Sequence, residues 1–150
     1  MTTVGTPARP LCAADVMSVS PDENIYAAWA LMTRTGLRHL VVAEGERCVG
    51  VIDDRAVFAE WPMGPLALKR HCVRELMHSR TACVFPDSDL QTAAAVMTRE
   101  CVDAVPVVAQ DASLVGIVTA SDIIAALAAA QGAKLDRAWI SHPAGVRTST

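Results

Sequence analysis

The sequence has few aromatic residues and no strong excess of one charge. Phe, Trp and Tyr make up 4% of its 150 residues, so aliphatic side chains and alanine must fill the interior. With 52% apolar residues, the chain is too hydrophobic to be intrinsically disordered. Its net charge of −3 at pH 7 argues against a general nucleic-acid binder and against a protein that binds anionic membranes.

Segments that would span a membrane or direct export are also missing. The longest apolar run, 123–130, is far shorter than the roughly 20 residues that cross a bilayer. The N-terminus has no basic region followed by an apolar stretch, which a secretory signal requires. We therefore expect no membrane partner and a cytoplasmic location.

The sequence lacks the usual patterns of a metal or catalytic site. Its five cysteines form no CxxC motif, and the two histidines and two cysteines between residues 71 and 83 match no usual zinc spacing. In a reducing cytoplasm we expect the cysteines to be small buried residues, with one disulfide in an oxidising compartment as the alternative. No Gly-x-Ser-x-Gly elbow is present. We predict no metal site and no enzyme.

The chain does contain an internal repeat of about 60 residues. Five short blocks recur in the same order at offsets of 60 to 66 residues, which is the signature of a duplicated structural unit. The blocks 16–17, 21–22, 30–32, 40–42 and 49–52 recur at 76–77, 86–87, 95–97, 105–107 and 115–118.

Each unit predicts the element order β-α-β-β-α. Apolar residues at i, i+3, i+4 and i+7 predict an amphipathic helix, which begins after Asn24 in one unit and after Asp89 in the other. β-branched runs then predict two strands, and a second helix closes the unit. The predicted strands lie near Val19, at 40–43 and 47–52, then at 83–85, 105–109 and 114–119, and the closing helices at 55–60 and 122–130.

These elements divide the chain into two small units. One unit alone has too little core to be stable, so we expect the two to pack face to face. The segment 61–65 contains two prolines and a glycine, which interrupt a helix. The predicted organisation is a first repeat at 11–60, a linker at 61–70, a second repeat at 71–130 and a polar C-terminal tail at 131–150.

The repeat resembles a tandem pair of CBS domains, named for cystathionine beta-synthase, over about 11–130. The segment 116–123 is similar to the family pattern of Gly, two apolar residues, Thr or Ser, any residue, Ser or Thr, Asp and an apolar residue. The segments 36–42 and 103–108 support it. The resemblance implies an α/β (α+β) module with pseudo-twofold symmetry, whose two clefts commonly bind AMP, ADP, ATP or S-adenosylmethionine.

The residues of the 116–123 segment suit such a ligand independently. We expect Thr119 and Ser121 at a helix N-terminus, where free N–H groups and the helix dipole favour a phosphate. The Asp122 carboxylate can accept hydrogen bonds from both hydroxyls of a ribose. The alternative is that Ser121 or Asp122 only caps the helix.

The two repeats differ at these positions. Asp53 occupies the place of Thr119, and its charge would repel a phosphate, although Arg55 in the place of Ser121 would partly offset that charge. Ala56 occupies the place of Asp122 and cannot accept a hydrogen bond from ribose. We therefore predict one degenerate cleft, comprising Asp53, Ala56, Asp103 and Ala104.

The other cleft is predicted to bind the ligand. The resemblance implies that the first strand of the first repeat and the segment before its second strand complete it. Arg38 and His39 correspond there to a basic pair that contacts phosphate in the gamma subunit of AMP-activated kinase. The alternative is a solvated pair at a strand edge. The predicted cleft residues are Thr119, Ser121 and Asp122, the basic pair Arg38 and His39, the base-facing Val19, Leu40 and Ile117, and the Ser18 backbone.

The sequence thus favours a non-enzymatic sensor of an adenosine-containing ligand, with no required cofactor and with or without Mg²⁺. Apolar linker residues such as Trp61 and Leu66 and the Ala-rich closing helix favour a homodimer, unless they only close the core. An unknown effector protein is expected as partner. The alternative function is a protein–protein interaction module without ligand. A third hypothesis is a redox-responsive dimer linked through Cys12, Cys72 or Cys101.

Overall fold

The computed structural model describes residues 16–79 and 82–130. The predicted start of the first repeat at residue 11, Cys12 and the predicted tail 131–150 lie outside the described residues. The elements, in chain order, are β1 (Ser18–Val19), α1 (Ile25–Thr35), β2 (His39–Glu44), β3 (Arg47–Asp53), α2 (Asp54–Ala59), a 3-10 turn (Trp61–Met63), α3 (Pro65–Arg70), α4 (Val73–Leu76), α5 (Leu90–Glu100), β4 (Ala104–Val108), β5 (Leu114–Thr119) and α6 (Ala120–Ala129).

The strands form one small sheet in each repeat. β1 pairs in parallel with β2, which pairs antiparallel with β3. In the second repeat β4 and β5 are antiparallel. The predicted strand at 83–85 is reduced to one parallel bridge between Val84 and Val107. It is shorter than β1 because Pro106 occupies the place of Val41 and has no N–H, so the bond equivalent to that from the Val41 N–H to the Met17 carbonyl cannot form.

The two long helices begin where the sequence predicts. Asn24 Oδ1 accepts from the Ala27 N–H at 2.8 Å, and Asp89 Oδ1 accepts from the Thr92 N–H at 2.7 Å. Both helices also end in the same way, since each is followed by a residue in the left-handed region. That residue is Gly36 (φ 73°) after α1 and Cys101 (φ 55°) after α5. The duplication therefore extends to the helix caps.

The linker is more ordered than the sequence predicts. Gly64 interrupts the helical structure, as expected. Pro65 then starts helix α3, because proline is compatible with the first turn of a helix. Leu68 on α3 is fully buried in the core of the first repeat. The Trp61 ring lies 5.1 Å from that of Trp29. The linker thus partly closes the core, while Leu66 remains 72% exposed.

Each repeat has its own aliphatic core, although Val73 packs into the first one, and the repeats also meet through their strand hairpins. Ile25, Leu40 and Ile52 belong to the first core, and Val84, Val105 and Val118 to the second. Strand β3 contacts β4, and the Leu114 N–H donates to the Glu46 carbonyl across the repeats at 2.8 Å. Within the described residues, no helix is long and apolar enough to cross a membrane. The α/β fold of two packed repeats is confirmed.

The four described cysteines are free thiols with different exposure. Cys48 and Cys72 are half-buried, whereas Cys83 and Cys101 are exposed. The prediction of burial is therefore wrong for the last two. Cys83 precedes the buried Val84, and adjacent side chains of an extended segment point to opposite sides. Cys101 follows α5 in a left-handed turn at the surface.

Candidate functional site: a cleft between the repeats

A cavity of about 520 Å³ opens between the two repeats. Six predicted residues line it and come from both units, so the structure brings the separated motifs together. They are Arg38 and His39 from the first repeat and Ile117, Thr119, Ser121 and Asp122 from the second. The sequence analysis did not identify the other lining residues, Val16, Met17, Gly36, Leu37, Asp103, Ala120 and Ile124, as part of this cleft.

Three predicted residues do not line this cavity. Leu40 is fully buried and Val19 is 9% exposed, and both side chains belong to the core of the first repeat. The prediction that they face a ligand base is wrong, because alternation along β1 and β2 turns these side chains inward. Ser18 is exposed but is not part of the lining, and Val16 and Met17 line the cleft instead. The only sequence signal for Val16 and Met17 is the repeated block to which they belong.

The start of α6 is held by a reciprocal cap. Thr119 Oγ1 accepts from the Asp122 N–H at 3.3 Å, while Asp122 Oδ2 accepts from the Thr119 N–H at 2.8 Å and from its hydroxyl at 2.9 Å. The helix therefore begins at Ala120 rather than at the predicted 122. Asp122 therefore takes part in the cap, but it does so through only one carboxylate oxygen. Asp122 Oδ1 has no hydrogen-bond partner among the described residues.

Most amide donors at the start of α6 are already used. The Thr119 N–H and the Asp122 N–H belong to the cap, and the Ala120 N–H donates to the Asp103 carbonyl at 2.8 Å. Within the described chain, only the Ser121 N–H of this first turn has no protein partner. The expectation of several free donors is therefore wrong. The Ser121 N–H and the exposed Ser121 hydroxyl remain as donors for a ligand.

The basic side chains at the cleft are all paired with carboxylates. Arg38 Nε lies 3.1 Å from Asp54 Oδ2, and its side chain is 64% exposed. His39 Nε2 lies 2.7 Å from Asp103 Oδ1, and its side chain is only 12% exposed. Arg55 Nη2 lies 2.8 Å from the other Asp103 oxygen. The alternative of a solvated pair therefore fits Arg38 but not His39.

Asp103 is the acceptor for two basic groups of the opposite repeat. Partial burial alone would raise the pKa of Asp103. The hydrogen bond and charge of His39 and the charge of Arg55 outweigh burial, so the pKa lies below its usual value. Asp103 is therefore ionised at neutral pH, and it lines the open cavity.

Among the described residues, the predicted degenerate cleft is nearly closed. Its cavity of about 10 Å³ is large enough for about one water molecule, and Asp53, Asp103 and Ala104 line it, whereas Ala56 does not. Asp53 caps α2 by accepting from the Ala56 N–H at 2.7 Å, and His78 Nε2 lies 3.5 Å from its other oxygen. Asp53 and Thr119 thus hold the same capping position in the two repeats, as their alignment predicts.

Solved structures with the same fold contain CBS domains. The CBS domain pair of protein MJ0100, in complex with 5′-methylthioadenosine and S-adenosyl-L-methionine, is similar with a TM-score of 0.71 and 22% identity over 83% of this chain and 97% of that chain. CBSX2 in complex with AMP is similar with a TM-score of 0.66 and 24% identity, over 78% of this chain and 90% of that chain. The CBS-domain containing protein ATU1752 from Agrobacterium tumefaciens has a TM-score of 0.66 and 22% identity, over 75% of this chain and 89% of that chain.

Curated relatives include two archaeal enzymes. Inosine-5′-monophosphate dehydrogenase of Korarchaeum cryptofilum is 34% identical over 110 residues, which cover 73% of this chain and 22% of the relative. The enzyme of Methanocaldococcus jannaschii is 30% identical over 111 residues, 73% of this chain and 21% of that protein. The chain therefore spans about a fifth of the length of these relatives.

The assignment of the family follows from the matched residues. The CBS domain family matches twice, at 8–61 and at 73–129, which together cover most of the chain. Each match contains one unit of the internal repeat and most of one aliphatic core. The chain belongs to the CBS domain family and contains a tandem pair of CBS domains.

Proposed function

We propose that the chain is a non-enzymatic regulatory module that binds an adenosine-containing ligand (AMP, ADP, ATP or S-adenosylmethionine) in the open cleft. The observation that carries this proposal is the cavity of about 520 Å³, which falls in the usual size range for small-molecule sites. Its lining combines two carboxylates, two hydroxyls and apolar side chains from two units. The cavity in the equivalent position of the other repeat is about 10 Å³. We therefore propose one binding site per chain.

Each part of an adenosine ligand has a matching group in the cleft. Asp122 accepts from a ribose hydroxyl through the oxygen that the cap leaves unused, and Ser121 donates from its amide and hydroxyl to the 5′ substituent. Leu37, Ile117 and Ile124 offer apolar surface to the base. AMP in CBSX2 and 5′-methylthioadenosine with S-adenosylmethionine in MJ0100 support this ligand class. No cofactor is required, and Mg²⁺ would accompany only a polyphosphate.

Occupancy of the cleft would be transmitted through the relative position of the repeats. A ligand that contacts both repeats favours the arrangement that it binds more tightly, and it shifts the equilibrium by that difference in affinity. A cytoplasmic effector protein would recognise the shifted arrangement. Neither nucleic acid nor membrane is proposed as a partner.

A second candidate is an interaction module that works without a ligand. It is favoured by the groove of about 280 Å³ between α5 and α6, lined by Leu90, Ala94, Ile123 and Leu127 among others. Leu127 is 58% exposed and the adjacent Ile124 66%, and exposed apolar surface of this kind marks interfaces. Under this alternative a homodimer forms through the α5/α6 face. Leu127→Asp would then convert a dimer to a monomer in sedimentation velocity.

Thermal unfolding with each of the four adenosine compounds tests the sensor. A ligand at a hundred times its Kd adds about 2.7 kcal/mol to the free energy of unfolding, which is roughly 5–10 °C in Tm for a chain of this size. Asp122→Asn keeps a capping oxygen but loses the charge, and should abolish the shift. Asp87→Asn, an exposed aspartate outside the cleft, is the matched control and should keep it. If no compound moves the Tm of the wild type, the interaction module becomes the better account.

A further inference from the structure

We infer that the open cleft selects adenosine ligands with a neutral or cationic 5′ substituent over polyphosphates, and that Asp103 is the residue that determines this selectivity. The inference rests on the proposed function, because it concerns which member of the ligand class the same cleft prefers. It goes further in assigning a role to Asp103, which belongs by sequence to the other, closed cleft.

The charges around the cleft argue against a polyphosphate. The two basic side chains that line the cavity, and Arg55 next to them, already have carboxylate partners at 3.1 Å or less. These partners are Asp54 for Arg38, and Asp103 for both His39 and Arg55. A phosphate that recruits one of these groups must separate an existing contact with a carboxylate, so each added negative charge costs an interaction that the folded protein already has.

The remaining donors suffice for one small polar group. The first turn of α6 offers the Ser121 amide and hydroxyl, because Asp122 and the Asp103 carbonyl accept from the Thr119 and Ala120 amides. A triphosphate has many more acceptor oxygens than this set can satisfy. A neutral thioether at the 5′ position needs no such donors, and a sulfonium gains from nearby carboxylates.

Asp103 places an ionised carboxylate on the wall of the cavity. Its side chain is 34% exposed, and its residue lines the open cavity together with Asp122. His39 and Arg55 hold this carboxylate from the opposite repeat, so it cannot turn away from an anionic ligand without breaking both contacts. Two carboxylates in one cleft oppose negative charge at short range.

Titration calorimetry in divalent-free buffer with three probes tests the inference. The probes are 5′-methylthioadenosine, AMP and ATP, which share adenosine and differ in charge. For the wild type we expect 5′-methylthioadenosine to bind at least tenfold more tightly than ATP. Asp103→Asn keeps the shape and removes the charge, so the ratio of the two Kd values should narrow roughly five- to tenfold. Asp87→Asn is the control for an equal change of net charge and should leave the ratio unchanged.

A second variant tests the same point without altering Asp103. Arg55 is 65% exposed, so Arg55→Ala should fold, and it leaves the Asp103 charge less compensated. The preference for 5′-methylthioadenosine over ATP should then widen, whereas Arg70→Ala, on the exposed end of α3, should leave it as it is.

The outcomes separate the two proposals. Tightest binding of ATP by the wild type, or unchanged ratios in both Asp103→Asn and Arg55→Ala, would overturn the charge selectivity while the adenosine site stands. Binding of none of the three probes would overturn the adenosine site and the selectivity with it. If the preference for 5′-methylthioadenosine over ATP narrows in Asp103→Asn and widens in Arg55→Ala, both the adenosine site and its charge selectivity are supported.

Discussion

His39 of the first repeat and Asp103 of the second meet at 2.7 Å between Nε2 and Oδ1. Both residues line the open cavity and the nearly closed one, so the pair forms a wall that the two cavities share. Arg55, from the same repeat as His39, holds the second oxygen of the carboxylate. The contact therefore joins the repeats, separates the two clefts and sets the charge of the open one.

The first prediction concerns the stability that this pair contributes. His39→Ala should lower the free energy of unfolding by about 1–3 kcal/mol, because it removes a mostly buried hydrogen bond to a charged group. The matched control is His71→Ala, which removes a pair with Glu75 of similar length but about half exposed on both sides. That variant should lose less than about 0.5 kcal/mol. Urea unfolding measures both, and equal losses would contradict a structural role for the His39 contact.

The second prediction is a pH dependence. The pKa of Asp103 is lower in the folded chain than its usual value of about 3.9. Its ion pairs therefore stabilise the folded state above about pH 4, and this stabilisation is lost as the pH falls through the lower folded value. In urea unfolding, the free energy of unfolding should be higher for the wild type than for Asp103→Asn at pH 7. The difference between the two should shrink towards pH 3. A difference that grows on acidification would contradict the assignment.

The third prediction concerns the two equivalent helix ends. Cys101 has a positive φ of 55°, a conformation that glycine adopts without strain, as Gly36 does in the first repeat. Cys101→Gly should therefore raise the free energy of unfolding by about 1 kcal/mol. Gly36→Ala should lower it by a similar amount, although nothing lies within 4 Å of an added Cβ. A loss of stability in Cys101→Gly would show that its side chain contributes more than its strain costs.

The fourth prediction concerns thiol reactivity. Burial raises the pKa of the Cys48 thiol, which opposes formation of the reactive thiolate. Cys83 is exposed, so iodoacetamide at pH 8 should modify it well before Cys48. Peptide mass spectrometry over a time course measures the order. Equal rates at Cys48 and Cys83 would mean that the β3 environment opens more readily than the structure indicates.

The fold follows from the sequence because duplication makes each pattern appear twice. The caps Asn24 and Asp89 were predicted by aligning the repeats, and both side chains bond as expected. Strands β2 to β5 lie within one residue of their predicted ends. The second copy of β1 is shorter than the prediction of 83–85, because its partner strand has Pro106, without an N–H, where β2 has Val41.

The site was predicted less completely, for a physical reason. Sequence patterns identify which residues reach the cleft, and six of the predicted residues line it. They do not show which groups are already satisfied there. The pairing of His39 with Asp103 joins residues 64 positions apart, so local sequence patterns do not reveal it. The inward turn of Leu40 likewise depends on register in a sheet, which local sequence does not fix.

The most direct test of a single adenosine cleft is the stoichiometry of binding. Titration calorimetry with 5′-methylthioadenosine should give one site per chain, lost in Asp122→Asn and kept in Asp53→Asn. The two aspartates lie at the starts of equivalent helices, and asparagine preserves a capping oxygen in both. Two sites per chain, or binding lost in Asp53→Asn but kept in Asp122→Asn, would contradict the account.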